Sequence, residues 1–222
     1  MNKIIIGLLV GILSINIYGF VFKDSSFLEL DVPRKTFEDC VNLNEVETFS
    51  CLKELEALGY STGNDLMLLG QLYLYGIGTE IDVNQARDMF EKSVIVDQNI
   101  NAMRLLGDLA VNNDLLSAKY WYSRASQKND LDAAAKLASI YRYGDEKDLD
   151  LDAALLLYKQ IADSGSLDAH YEIALMYATG EGVEPNISQS LFMLGGSCEK
   201  GHALSCDLLQ QIQRLRANRN GG

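Results

Sequence analysis

Apolar residues in this chain recur at helical spacing, and between about residues 64 and 209 they carry a phrase that repeats. Leu69-Gly70-x-x-Tyr73-x-x-Gly76-x-Gly78 returns as Leu137-Ala138-x-x-Tyr141-x-x-Gly144. It returns again as Ile173-Ala174-x-x-Tyr177-x-x-Gly180-x-Gly182-Val183, with a weaker copy, Leu106-Gly107-x-x-Ala110, between the first two. Taking the small residue as marker (70, 107, 138, 174), the steps are 37, 31 and 36 residues. A period of this size marks a stack of supersecondary units. A second marker follows each first one, at Ala86, Ala118, Ala154 and Ser190, and four residues later stand Phe90, Tyr122, Tyr158 and Leu194. Residues four apart share a helical face. Each unit therefore reads as helix A, a glycine-containing turn and helix B, and the chain is all-α.

The residue types fit that packing. Gly or Ala at the first marker lets helix B approach closely. Ala102, Ala133 and Ala169 open the A helices on the same stripe. Tyr73, Tyr141 and Tyr177 fill the groove between helices. Gly76, Gly144 and Gly180 stand where helix A stops, a position that favours a left-handed residue. Pro185 falls in the loop after it. The second unit lacks this turn, and Asn113 is the candidate left-handed residue there.

The pattern resembles the Sel1-like repeat family, relatives of the tetratricopeptide repeat, over about residues 64–209. The clearest copy runs from Ala169 to Gly201. The resemblance implies an α/α solenoid of about four helix-turn-helix repeats with N- and C-terminal capping helices, in a family whose members act as adaptors in protein assemblies. The expected organisation is a targeting segment (1–19), a linker (20–35), N-terminal capping helices (36–62), four repeats (63–201), a C-terminal capping helix (202–215) and a disordered tail (216–222).

Charge and cysteine content narrow the setting. The formal net charge is −12 over 222 residues. Such a chain repels phosphate backbones, which disfavours nucleic acid and favours a protein partner with a basic patch. Lys3 precedes an uncharged stretch from Ile4 to Phe22. Two readings stand: a signal peptide cleaved after Gly19, or an uncleaved anchor tethering the chain through residues 4–22. Both place the repeats outside the cytoplasm, in a bacterial periplasm.

Cys40, Cys51, Cys198 and Cys206 are an even set in a chain read as exported, so disulfides are expected. In the array implied by the resemblance, layers advance by about 10 Å, whereas bridged Cα atoms lie within about 7 Å. That favours Cys40–Cys51 and Cys198–Cys206. The spacing of the second pair is similar to that of the cysteine-rich Sel1-like proteins of Helicobacter, a partial likeness confined to the last unit.

Candidate chemistry is sparse, and no catalytic, cofactor-binding or metal-ligating residue is assigned. His170 and His202 have no Cys or acidic partner at ligand spacing and read as surface or capping residues. Gly76-x-Gly78 and Gly180-x-Gly182 are turn glycines without the strand of a nucleotide loop. Ser50-x-x-Lys53 and Ser197-x-x-Lys200 match one motif of β-lactam enzymes, but the companion motifs are absent. Trp121 reads as packing or as facing a groove. The acidic run Asp145 to Asp150 reads as a solvated loop, or as a steering surface for a cationic partner.

The resemblance places the A helices on the concave face. Positions one and five after the first marker point away from the B helices, giving Gln71, Tyr75, Asp108, Ser139, Tyr143, Leu175 and Thr179, with Glu172 on the same side. These are the candidate partner-binding residues. Tyr75 and Tyr143 read equally as interface anchors or as finishing the core. The leading expectation is a non-enzymatic periplasmic adaptor or scaffold in an envelope assembly. The alternatives are an immunity protein that neutralises a type VI secretion effector and, least favoured, a β-lactam-binding enzyme.

Overall fold

The computed structural model describes residues 37–220, with side-chain surroundings given for 38–214. The targeting segment, its tether alternative, the linker and the last two residues of the expected tail lie outside the described residues. The described chain belongs to one compact unit, Lys35–Gly222. It holds eleven helices, and among the described residues there is no strand.

Two helices precede the repeats, α1 (Phe37–Val41) and α2 (Glu45–Ala57), and the Cys40–Cys51 disulfide ties them, with Cα atoms 5.5 Å apart. Leu52 and Leu55 are buried with the two cysteines, whereas Val41 and Leu58 are exposed. Four hairpins follow: α3 (Gly63–Tyr75) with α4 (Val83–Asp97), α5 (Ile100–Ala110) with α6 (Leu115–Ser126), α7 (Leu131–Tyr143) with α8 (Leu151–Asp163), and α9 (Leu167–Thr179) with α10 (Ile187–Glu199). Each helix packs mainly on its neighbours in the chain, so each hairpin stacks on the next. The final helix, α11 (Ala203–Asn220), packs on α10 and is joined to it by Cys198–Cys206, with Cα atoms 4.7 Å apart. It continues through residues 216–220, which the sequence reading gives to a disordered tail.

The markers set the close approaches. A Cβ on Gly70 would stand 2.6 Å from the Phe90 ring, and one on Gly107 2.5 Å from the Tyr122 ring. Ala138 and Ala174 occupy the equivalent places and are fully buried. Phe90, Tyr122, Tyr158 and Leu194 are buried as the spacing requires, each contributing about 1.5–3 kcal/mol by removing apolar area from water. Tyr73 is buried edge-on against Phe49, with ring centroids 5.0 Å apart.

Both turns of a unit follow rules. In the A-to-B turn, the N-cap amide of helix B donates to the carbonyl three residues after the marker. Asp82, Asp114, Asp150 and Asn186 bond Tyr73, Ala110, Tyr141 and Tyr177 at 2.7–2.9 Å. The short second turn keeps this bond, so it needs no left-handed residue. Asn113 is not among the positive-φ residues, correcting that expectation. Gly76 and Gly180 are left-handed, with φ 69° and 81°. Gly144 is not: its φ is −69°, and glycine is needed because a Cβ would lie 2.5 Å from the Ile140 carbonyl oxygen.

In the B-to-A turn, a left-handed residue comes directly before the N-cap of the next helix. The pairs are Gln98–Asn99, Asn129–Asp130, Gly165–Ser166 and Gly201–His202. Each cap side chain accepts from the amide of a buried residue three positions on: Ala102, Ala133, Ala169 and Ser205. By this register α11 is an A helix whose marker and tyrosine positions hold Gln210 and Gln213, both exposed. A polar surface where another B helix would pack ends the array.

Candidate functional site

The candidate partner residues lie along the A helices, and the structure divides them into two kinds. Tyr75 and Tyr143 are the last residues of α3 and α7, and each is 61 % exposed. They do not finish the core. Ser139 and Thr179 are exposed, and Gln71 and Leu175 are half-buried. Asp108 and Glu172 are half-buried and engaged within the chain. Asp108 accepts from Tyr122 Oη at 2.7 Å and pairs with Lys136 Nζ. Glu172 pairs with Arg142, and accepts from Tyr143 Oη at 3.1 Å.

Arg142 is the centre of this face, and the sequence reading gives it no role. Its side chain is almost wholly buried. It reaches from α7 to Glu172 on α9 and to Glu181 in the following turn, at 2.6 Å. Its guanidinium also sits 4.8 Å from the Tyr143 ring centroid. Burial alone pulls the guanidinium pKa down, but the Glu181 hydrogen bond and the charges around it outweigh that and hold it above the ordinary value. The Tyr143 pKa is pushed up to about 12, first by desolvation of its hydroxyl end and then by the Glu172 charge. The residue is 61 % exposed while its hydroxyl is held by Glu172, so an aromatic surface is presented in a fixed orientation.

Acidic groups cluster where the A helices end. Glu80, Asp145 and Glu146 are exposed in the A-to-B turns that follow Tyr75 and Tyr143, and Glu184 is exposed in the turn that follows Thr179. Asp148 departs from the solvated-loop reading, because it is buried and pairs with Lys119 at 2.7 Å. The acidic loop is thereby pinned to α6. Similar ties join unit to unit: Lys92–Glu56 at 2.8 Å and Arg104–Asp130 at 3.2 Å.

Comparison with known proteins agrees with this architecture. The Sel1 repeat model matches residues 66–94, 102–130, 131–166 and 167–202. The chain belongs to the Sel1 repeat family. Among solved structures, this Sel1 repeat chain is similar to c5321, a protective antigen of uropathogenic Escherichia coli displaying an SLR fold. That likeness has 21% identity and a TM-score of 0.67, and covers 76% of this chain and 37% of the other. A Sel1 repeat protein of Oxalobacter formigenes is 24% identical with a TM-score of 0.61, covering 76% and 70%. Both show the shared fold. An uncharacterized Neisseria meningitidis protein, NMB1327, is 27% identical over 100 residues, covering 45% of this chain and 21% of that protein. This chain therefore spans only part of the relatives it matches.

His202 and Ser197 of this Sel1 chain are engaged or buried within the stack. His202 does have an acidic partner, Asp168 near the start of α9, one unit back in the stack. Its Nε2 lies 2.9 Å from Asp168 Oδ1, and its Nδ1 2.7 Å from Ser205 Oγ. The order Asp–His–Ser resembles a hydrolase relay, but burial is reversed: Ser205 is fully buried and Asp168 exposed. A buried hydroxyl meets no substrate, so this is a helix cap. Ser197 is likewise buried. Trp121 is half-buried, packed on the core and edge-on to Tyr120. Among the described residues no group of three or more His, Cys, Asp or Glu is placed to hold a metal, and no helix is long and apolar enough to cross a membrane.

Proposed function

We propose that this Sel1 repeat chain is a non-enzymatic periplasmic adaptor, which holds a basic protein partner in an envelope assembly along its A-helix face. The observation that carries this reading is the pair Tyr75 and Tyr143, equally exposed at repeat-equivalent positions beside acidic turns. Exposed tyrosines bury a large area at low entropic cost, and flanking carboxylates steer a cationic surface toward them. The two disulfides support an oxidising compartment, in keeping with export. Arg142 supports the face from beneath, fixing Tyr143 and bridging two units.

The test is affinity capture from a native envelope extract, using C-terminally tagged wild type beside a Tyr75→Ala/Tyr143→Ala double variant. A stoichiometric partner lost with the variant, while the melting temperature stays within about 2 °C, supports the reading. A partner retained by the variant refutes the proposed face. Recovery of a secreted antibacterial effector as that partner would replace the scaffold role with the immunity role.

A further inference from the structure

The outer surface of the B helices carries an apolar row at one register. Tyr120, Leu156 and Phe192 each stand two residues after the B marker and are 54%, 69% and 76% exposed. In the first unit Asp88 holds this position and ends the row. The row is most apolar on α10, whose only charged residue is Glu199 at its last position, whereas α4 carries five charges. One turn beyond Phe192, on the same side of α10, come Gly195 and Gly196. A Cβ added to either meets nothing within 4 Å. Mid-helix glycine is disfavoured, and packing among the described residues gives no reason for two in succession. A protruding ring and a strip of bare backbone thus lie side by side on one helix.

We propose that α10 is a self-docking surface, on which a second copy of this chain packs antiparallel across a two-fold axis. Phe192 of each copy sits over Gly195 and Gly196 of the other, with Leu156 alongside. Three observations select a second copy as occupant. Knob and gap lie on the same helix, so an isologous contact fills both at once. The chain carries −12, and two copies meeting through most faces would repel, but α10 brings only Glu199 to the contact. The row exposes on the order of 400 Å² per copy, about half of what one partner gives to a standard interface, leaving a polar rim to supply the rest. This surface is on the B helices, so the dimer and the A-helix partner are independent.

Sedimentation velocity of the full-length chain from about 1 to about 100 µM tests this. The expected result is a concentration-dependent dimer. Phe192→Asp should raise its Kd at least about 30-fold, and up to about 1,000-fold because each dimer carries the change twice. Gly196→Gln places a side chain in the gap. It should weaken the dimer while leaving the melting temperature of the dissociated chain equal or higher. A wild type that stays monomeric throughout overturns the proposal, as does a dimer that either variant leaves unchanged.

Discussion

Replacing Arg142 with methionine tests whether the ion network under Tyr143 holds two repeats together. The Arg142 side chain is 3% exposed, and its partners Glu172 and Glu181 are 28% and 33% exposed. Methionine keeps the aliphatic stem, so little cavity forms and the loss is mainly of charge. Breaking a fully buried pair costs about 3–5 kcal/mol, because the remaining charge stays uncompensated. Here the two carboxylates keep about a third of their exposure and recover part of their hydration, so the expected cost is about 2–3 kcal/mol. Urea unfolding at pH 7, followed by helical circular dichroism, measures it. Coupling with Glu181→Gln should be about 1–2 kcal/mol in a double-mutant cycle. A cost below about 1 kcal/mol would refute the network as a structural tie.

Gly107→Ala improves helix propensity yet should destabilise by about 1–3 kcal/mol, because the new methyl meets the Tyr122 ring. Gly196→Ala, with open space around its Cβ, should instead stabilise the monomer by up to about 1 kcal/mol, and thermal melts of the two separate packing from propensity. Burial and Asp108 push the Tyr122 phenol up, and burial with Glu172 does the same for Tyr158. Both phenols favour the folded state while protonated, a contribution present below about pH 10 and lost as pH rises beyond it, by up to about 3 kcal/mol per pH unit for the two together. Phenolate absorbance should therefore show two tyrosines ionising only with unfolding, and an early, reversible titration of all of them would contradict this. Cys198→Ser with Cys206→Ser should cost about 2–3 kcal/mol by the loop-entropy estimate for so short a loop, and hydrogen exchange should show α11 fraying first.

Much of the architecture is legible in the sequence because it is local. The markers at 70, 107, 138 and 174 encode how closely two helices approach, and that distance is set by the presence or absence of a Cβ. Glycine needs more care. Gly144 looks like Gly76 and Gly180 in the alignment of phrases, yet it is required by a carbonyl oxygen and not by a left-handed turn. The B-to-A turns were also open to reading: Gln98, Asn129, Gly165 and Gly201 each precede a capping residue. Two of the four are not glycine, so no shared letter marks them.

The sequence by itself determined the all-α class, the order of the helical hairpins and their period. These depend on contacts between residues close in the chain. Only the tertiary structure decided which polar side chains are free for a partner. Glu172 and Asp108 lie on the expected face, but cations from an adjacent unit, Arg142 and Lys136, engage them. Asp148 leaves an acidic run for Lys119, and His202 gains Asp168. These pairings join residues 28 to 34 positions apart. They depend on how one repeat rotates against the next, an angle set by the packing of whole helix faces and by no single residue.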